Sequence, residues 1–308
     1  MARKLRYQQE GGLYHVINRG NYRQPVFGSV GAAQAFETAL WETVKLYEWR
    51  VHAYVLMNNH YHIALETPQP NLVVGMHRLQ SAFSTRFNRF RSERGHLFQG
   101  RYQALPIENA AALASVVDYI HLNPLRAGIV AVDQLAGFRW SSLRRFIRGE
   151  GLAGLTGDMV MAHWGLANDP AGWKVYLERL QELATDEAEQ KRLGFDQMCT
   201  GWAIGTAGWR REIAKTLSQR SLAGIAQDEA RGIREESWRA VLEAALRKHK
   251  QTTEGLVPLR SGQRGEAWRW QIALELRARG ASCPWIAQTL GYASANSLRQ
   301  RFNLEALN

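Results

Sequence analysis

Apolar and polar positions recur with distinct periods along the first half of the chain, and each period predicts an element. Gly12 to Arg19 is an apolar run ended by Gly20-Asn21, which predicts a strand. Val30 to Tyr47 sets Ala35, Phe36, Ala39, Leu40, Val44 and Leu46 at roughly helical spacing. Val51 to Met57 and Asn58 to Leu65 predict two strands joined near Asn58-Asn59, and Glu66 to Pro70 is a break. Leu72 to Arg91 then reads as a helix with Val73, Met76, Leu79, Phe83 and Phe87 on its apolar side. Gln99 to Leu105 predicts a further strand closed by Pro106. Asn109 is placed to cap a helix that Pro124 stops one residue after Asn123.

The order is strand, helix, two strands, helix, strand, helix. It predicts an α+β fold, an antiparallel ferredoxin-like sheet with helices on one face. Near Gly149-Glu150-Gly151 the character changes to a mostly helical half punctuated by glycines, Pro170 and tryptophans. Two domains are therefore expected, 1–148 and 149–308. In the second, helices are expected over Leu177 to Leu193, Trp209 to Leu217, Glu235 to His249 and Gly265 to Arg279. Residues 282–303 read as a helix-turn-helix around Gly291, whose second helix would offer Asn296, Arg299 and Arg301 to a DNA groove.

Candidate chemistry lies in the first half. Alternate residues of a strand share a face, so His60 and His62 point together and Tyr61 points away. Imidazoles about 6–7 Å apart along a strand can converge on one metal ion. His-x-His is common by chance and gains weight only from a second element. That element is the predicted helix, where Tyr119 and Asn123 lie four apart on one side. Docked over the histidines, that side would bring a phenol, an amide oxygen and two imidazoles into one site. This is equipment for phosphoryl transfer through a covalent tyrosine. His15, among apolar strand neighbours, reads as structural. A zinc hydrolase built on His60 and His62 lacks a well-placed third histidine or carboxylate.

These residues resemble a known family. His60-Tyr61-His62 is similar to the HUH signature of single-tyrosine, single-strand DNA transposases. Asp118-Tyr119-Ile120-His121-Leu122-Asn123-Pro124-Leu125-Arg126-Ala127-Gly128 resembles the tyrosine helix of one branch, the REP-associated tyrosine transposases. Tyr14 to Asn21, Gly95 to Tyr102 and Trp140-Ser141-Ser142 match that branch too, so the resemblance spans roughly residues 10–146. It departs from the pattern at Asn58, often proline, and at Tyr61, usually aliphatic. The resemblance implies the ferredoxin-like fold, Tyr119 as nucleophile, and Mg²⁺ or Mn²⁺ on His60, His62 and Asn123. It also implies single-stranded or hairpin DNA of REP-like repeats as partner. One tyrosine makes one cut per site, so either two protomers cooperate as a homodimer to move a segment, or the protein only nicks and rejoins. The competing expectation is a non-cleaving, repeat-binding or regulatory protein on the same fold.

Charge agrees with a polyanionic partner. The chain of 308 residues carries 39 Lys and Arg against 28 Asp and Glu, a formal net charge of +11. Arg19, Asn21 and Arg23 form a polar loop after the first strand, and Arg78, Arg86, Arg89 and Arg101 line the following helix and loop. Arginines interleaved with aromatics suit single-stranded DNA, neutralising phosphates while rings stack on bases. The amino terminus, Met1 to Arg6, is basic without a following apolar signal core. No apolar stretch approaches the roughly 20 residues of a membrane span. With only Cys199 and Cys283 and no paired spacing, a reducing cytoplasm, in association with the nucleoid, is expected.

Overall fold

The computed structural model describes residues 7–219, 227–253, 256–260 and 265–305; the basic Met1–Arg6 lies outside the described residues. The chain forms two compact units, Leu5–Thr206 and Ala207–Asn308.

The first unit is built on four antiparallel strands: β1 (Gly12–Arg19), β2 (Arg50–Leu56), β3 (His60–Thr67) and β4 (Gln103–Ile107). Their order across the sheet is β2-β3-β1-β4. With α1 (Val30–Tyr47) between β1 and β2, and α2 (Leu72–Arg91) between β3 and β4, this is the ferredoxin-like arrangement. Ser29 caps α1 by accepting from the Ala32 amide. His52 is the extra residue of a bulge in β2, because Val51 pairs with Leu65 and Ala53 with the adjacent Ala64.

The strands are apolar on both faces, and that decides the layering. Tyr14, Val16, Tyr61, Ile63 and Leu65 pack with Phe36, Leu40, Met76 and Phe83 of α1 and α2. Leu13, Ala53, Val55, Ala64 and Ile107 face the other way and pack with Leu113, Val117 and Ile120 of α3 (Ala110–Arg126). Helices therefore cover both faces, where the element order alone led us to expect one. The expected third helix has its own hydrophobic stripe, and a second apolar sheet face was available for it.

Two prolines act differently from expectation. Pro124 lies inside α3, which continues to Arg126, with the Ala127 amide bonded to the Asn123 carbonyl at 3.0 Å. Near a helix end, proline costs one amide donor and need not stop the last turn. Pro106 lies within β4 instead of ending it. It pairs with Tyr14 and turns its carbonyl outward to the Ile204 amide, 2.8 Å away, so its missing N–H removes nothing from the ladder.

Beyond α3 come α4 (Ser142–Arg148), α5 (Asp158–His163), α6 (Pro170–Thr185) and α7 (Glu187–Arg192). The single helix expected over 177–193 is broken at Asp186, whose carboxylate accepts from the Glu189 amide and starts α7. Trp173, Tyr176, Leu180, Phe195 and Met198 belong to the same core as α3. This is why the compact unit runs to Thr206 instead of ending at the expected 148: the apolar outer side of α3 needs this segment. The chain also closes both edges of the sheet. At β2, the Val51 amide donates to Gly154 and the Thr156 amide to Val51, and Ser141 bridges Val55. At β4, Ile204 bridges Ile107.

The second unit is helical: α8 (Ala207–Gln219), α9 (Gln227–Lys248), α10 (Ala267–Ala278), α11 (Cys283–Leu290) and α12 (Ala295–Glu305). Trp238, Ile272, Leu276, Ile286, Leu290, Leu298 and Phe302 form its core. Ser282 caps α11, and Gly291, in the left-handed region at φ 70°, ends it before α12. Among the described residues no helix is long and apolar enough to cross a membrane.

Candidate active site

The register of β1 against β3 places Ile17 opposite His62 and Arg19 opposite His60. His15, Ile17 and Arg19 thus share a face with His60 and His62, and that face lies under α3. Asn109 accepts from the Ala112 amide at 3.0 Å and anchors the start of α3. Asp118 and His121 hold its middle. Tyr176 Oη donates to Asp118 Oδ1 at 2.7 Å, and Arg179 lies 2.9 Å from Oδ2. His121 Nε2 is 2.8 Å from Ser142 Oγ, and its Nδ1 is 3.2 Å from Tyr176 Oη. This buried network sets the rotation of α3 and aims Tyr119 at the sheet.

The Tyr119 ring meets His62 edge-on at 5.6 Å and His15 at 6.0 Å. Tyr119, His60 and His62 line one cleft of about 330 Å³ with Arg19, Arg101 and Gln103. Tyr61 is fully buried in the opposite core, where its hydroxyl accepts from Gln80. Asn123 does not line the cleft. Its Nδ2 donates to the Tyr119 carbonyl at 3.4 Å.

Both histidines are held neutral. Burial, with Arg19 adding to it, pushes His60 down to about 4, and burial sets His62 well below its ordinary value. Asn59 Nδ2 donates to the Arg23 carbonyl, so its Oδ1, 2.8 Å from His60 Nδ1, accepts that ring proton. The His60 Nε2 lone pair is then free. Two neutral imidazoles in one cleft are donors suited to a divalent cation, and this pair does not by itself select which one. Among the described residues no three His, Cys, Asp or Glu side chains form such a group, so an amide oxygen would have to complete the set.

Burial raises the Tyr119 hydroxyl above its ordinary value, and Cys199 adds to the rise, while Asn123 and Arg126 oppose it. Cys199 Sγ lies 3.0 Å from Tyr119 Oη, Phe195 meets the ring edge-on at 5.5 Å, and the Arg126 guanidinium stands 5.6 Å over it. Sequence reading missed Cys199 and Phe195, because nothing local links them to a tyrosine about 80 residues earlier. Arg126 was legible only as part of the helix motif.

The expected DNA contacts divide. Arg19 and Arg101 face the cleft, and Asn21 and Arg101 line a neighbouring one of about 560 Å³ with His77 and Gln80. Arg23, Arg78 and Arg89 are exposed. Arg86 is spent on Glu42 of α1 through two bonds of 2.7 Å, so its guanidinium ties α2 to α1. In the second unit Asn296 and Arg299 are exposed, whereas the Arg301 guanidinium is stacked 3.8 Å over Trp270.

Most of the site lies within a segment that a family model matches. The family model described as "Transposase IS200 like" matches residues 8–123. A structure of a REP-associated tyrosine transposase bound to a REP hairpin is similar at 21% identity, over 52% of this chain and 93% of that one, with a TM-score of 0.41. A Deinococcus radiodurans R1 protein, named a transposase without an established activity, is similar at 18% identity, over 42% and 98% of the chains, with a TM-score of 0.28. No curated protein matches. The matched segment carries His60, His62, Tyr119 and Asn123, and it is similar to the IS200-like transposases.

Proposed function

We propose that this protein is a metal-dependent single-strand DNA endonuclease and strand transferase that acts on REP-type palindromic hairpins through a 5′-phosphotyrosine at Tyr119. The observation that carries the reading is one arginine-flanked cleft, in a segment similar to the IS200-like transposases, that gathers a phenol and two neutral imidazoles. Magnesium or manganese held by His60, His62 and the Asn123 amide oxygen would supply positive charge to the scissile phosphate.

The chain's own residues do the rest. Arg19 and Arg101 hold phosphate oxygens at the cleft by charge-assisted hydrogen bonds. Tyr119 Oη enters as a phenol, loses its proton and attacks phosphorus. The P–O3′ bond breaks, the 3′ oxygen takes up a proton, and the 5′ phosphate stays on the tyrosine. Arg126 and Asn123 favour the phenolate as it forms. The tyrosine ester keeps the phosphodiester energy, so the strand can be rejoined without a nucleotide cofactor. Arg23, Arg78 and Arg89, with Asn296 and Arg299 of the α11–α12 helix pair, add duplex and backbone contacts.

A second reading, a protein that binds such repeats without cutting, has one observation in its favour: the Tyr119 hydroxyl is engaged by Cys199. Labelled hairpin DNA incubated with Mg²⁺ or Mn²⁺ and run on a denaturing gel separates the two. A covalent protein–DNA band in the wild type, lost in Tyr119→Phe and in His60→Ala, is expected. Binding with no band under either metal would sink the nuclease reading and support the second.

A further inference from the structure

The two imidazoles of the cleft take the position of their single proton from different neighbours. His60 has an amide oxygen, that of Asn59. His62 has another histidine: its Nδ1 lies 3.0 Å from His15 Nε2, with the two rings stacked at 5.1 Å. His15 reaches it from β1, pairing with Ala64 one face-sharing position along β3. Both rings are buried, His15 completely and His62 to 2% exposure, so water does not set their tautomers.

Between two neutral imidazoles sharing one bond, one nitrogen donates and the other accepts, and only two arrangements exist. If His15 donates, His62 carries its proton on Nε2 and has no lone pair left for a cation. If His62 donates, its Nε2 lone pair is free, and His15 carries its own proton on Nδ1. The metal-dependent reading requires the second. His15 Nδ1 has no hydrogen-bond partner among the described residues, so the 3.0 Å bond from its Nε2 to His62 is the one polar contact through which this ring can act on the cleft.

We propose that His15 is a positioning residue, accepting the Nδ1 proton of His62 and so reserving the His62 Nε2 lone pair for the metal. The assignment rests on the metal-dependent reading above. It places a buried histidine behind one ligand and a single amide behind the other.

Ring-nitrogen NMR of histidine-labelled, metal-free wild-type protein reads the tautomers directly and needs no variant. His62 is expected as the Nδ1–H form. Finding the Nε2–H form overturns the proposal whether or not a metal binds. Manganese titration followed by electron paramagnetic resonance then tests the consequence. His15→Phe is expected to weaken Mn²⁺ binding about 10- to 100-fold, with His15→Gln, which keeps an acceptor, within about threefold of wild type. Unchanged affinity in a folded His15→Phe overturns the proposal. Absence of Mn²⁺ binding by the wild type overturns the metal reading instead, and the His62 tautomer still decides the role of His15.

Discussion

At the scale of single residues, the gathering of Tyr119 with His60 and His62 was legible, because strand alternation and a four-residue helical spacing are geometric rules. The groups that touch them were not. Cys199 reaches Tyr119 only because residues 193–206 fold back over α3, a tertiary event with no local signature. Its thiol is exposed at the edge of the cleft and, through burial of its sulfur, is raised above its ordinary value. Alkylation should therefore be slow at neutral pH and faster at alkaline pH. Once attached, the adduct would stand against the Tyr119 hydroxyl. Treating the protein with iodoacetamide before adding hairpin DNA should abolish the covalent band, and Cys199→Ala should keep the band and resist the reagent. A reagent-sensitive Cys199→Ala would refute this.

His121 gives the pH prediction. Burial pushes its ring down to about 3, while an unfolded chain protonates near about 6.5. The unfolded state thus takes the proton first, so this group's contribution is complete above about pH 6.5 and is lost as pH falls toward 3. Asp118, which burial raises to about 6, works in the opposite sense, its contribution declining as pH rises through 6. His121→Gln cannot take the proton. Its melting temperature should lie below wild type at pH 7.5, by the equivalent of about 1–3 kcal/mol, and the gap should narrow at pH 5. A gap that widens on acidification would contradict the assignment.

At the scale of elements, each helix is placed by a few contacts that substitution can probe. Gly75 in α2 is packed against Trp49, and an added Cβ would come within 2.1 Å of the indole Cζ2. Gly75→Ala should therefore destabilise the fold by about 1–3 kcal/mol despite the better helix propensity of alanine, read as a lower denaturant midpoint. Helix existence in the first unit followed from hydrophobic period, and so did most of the strands. The errors fell where neighbours override local preference. Pro106 was tolerated because its position is at the sheet edge, and the 177–193 helix broke because Asp186 could cap a new one. Arg86 looked like its neighbours Arg78 and Arg89 in sequence, and only the approach of Glu42 from α1 distinguishes it.

At the scale of the molecule, the boundary moves from the glycines near 149 to Thr206. Glycine-rich punctuation marks turns as readily as linkers, and here Gly149 ends α4 in the left-handed region. A chain cut at residue 148 would lose Trp173, Tyr176 and Phe195 from the core around α3. Residues 7–206 should melt cooperatively and retain the Tyr119-dependent covalent band, whereas residues 7–148 should aggregate or fail to give one. An active, monomeric 7–148 fragment would refute the dependence.

The closed margins of the sheet carry a consequence for assembly. A strand with unpaired amides and carbonyls invites a like strand from another molecule, the route by which many proteins join their sheets or polymerise. Here Gly154 and Thr156 occupy the outer side of β2, and Ile204 occupies the outer side of β4. Two copies that share the labour of cutting and rejoining would have to meet through side chains, or be gathered on the same piece of nucleic acid, without threading their backbones into one continuous eight-stranded ribbon.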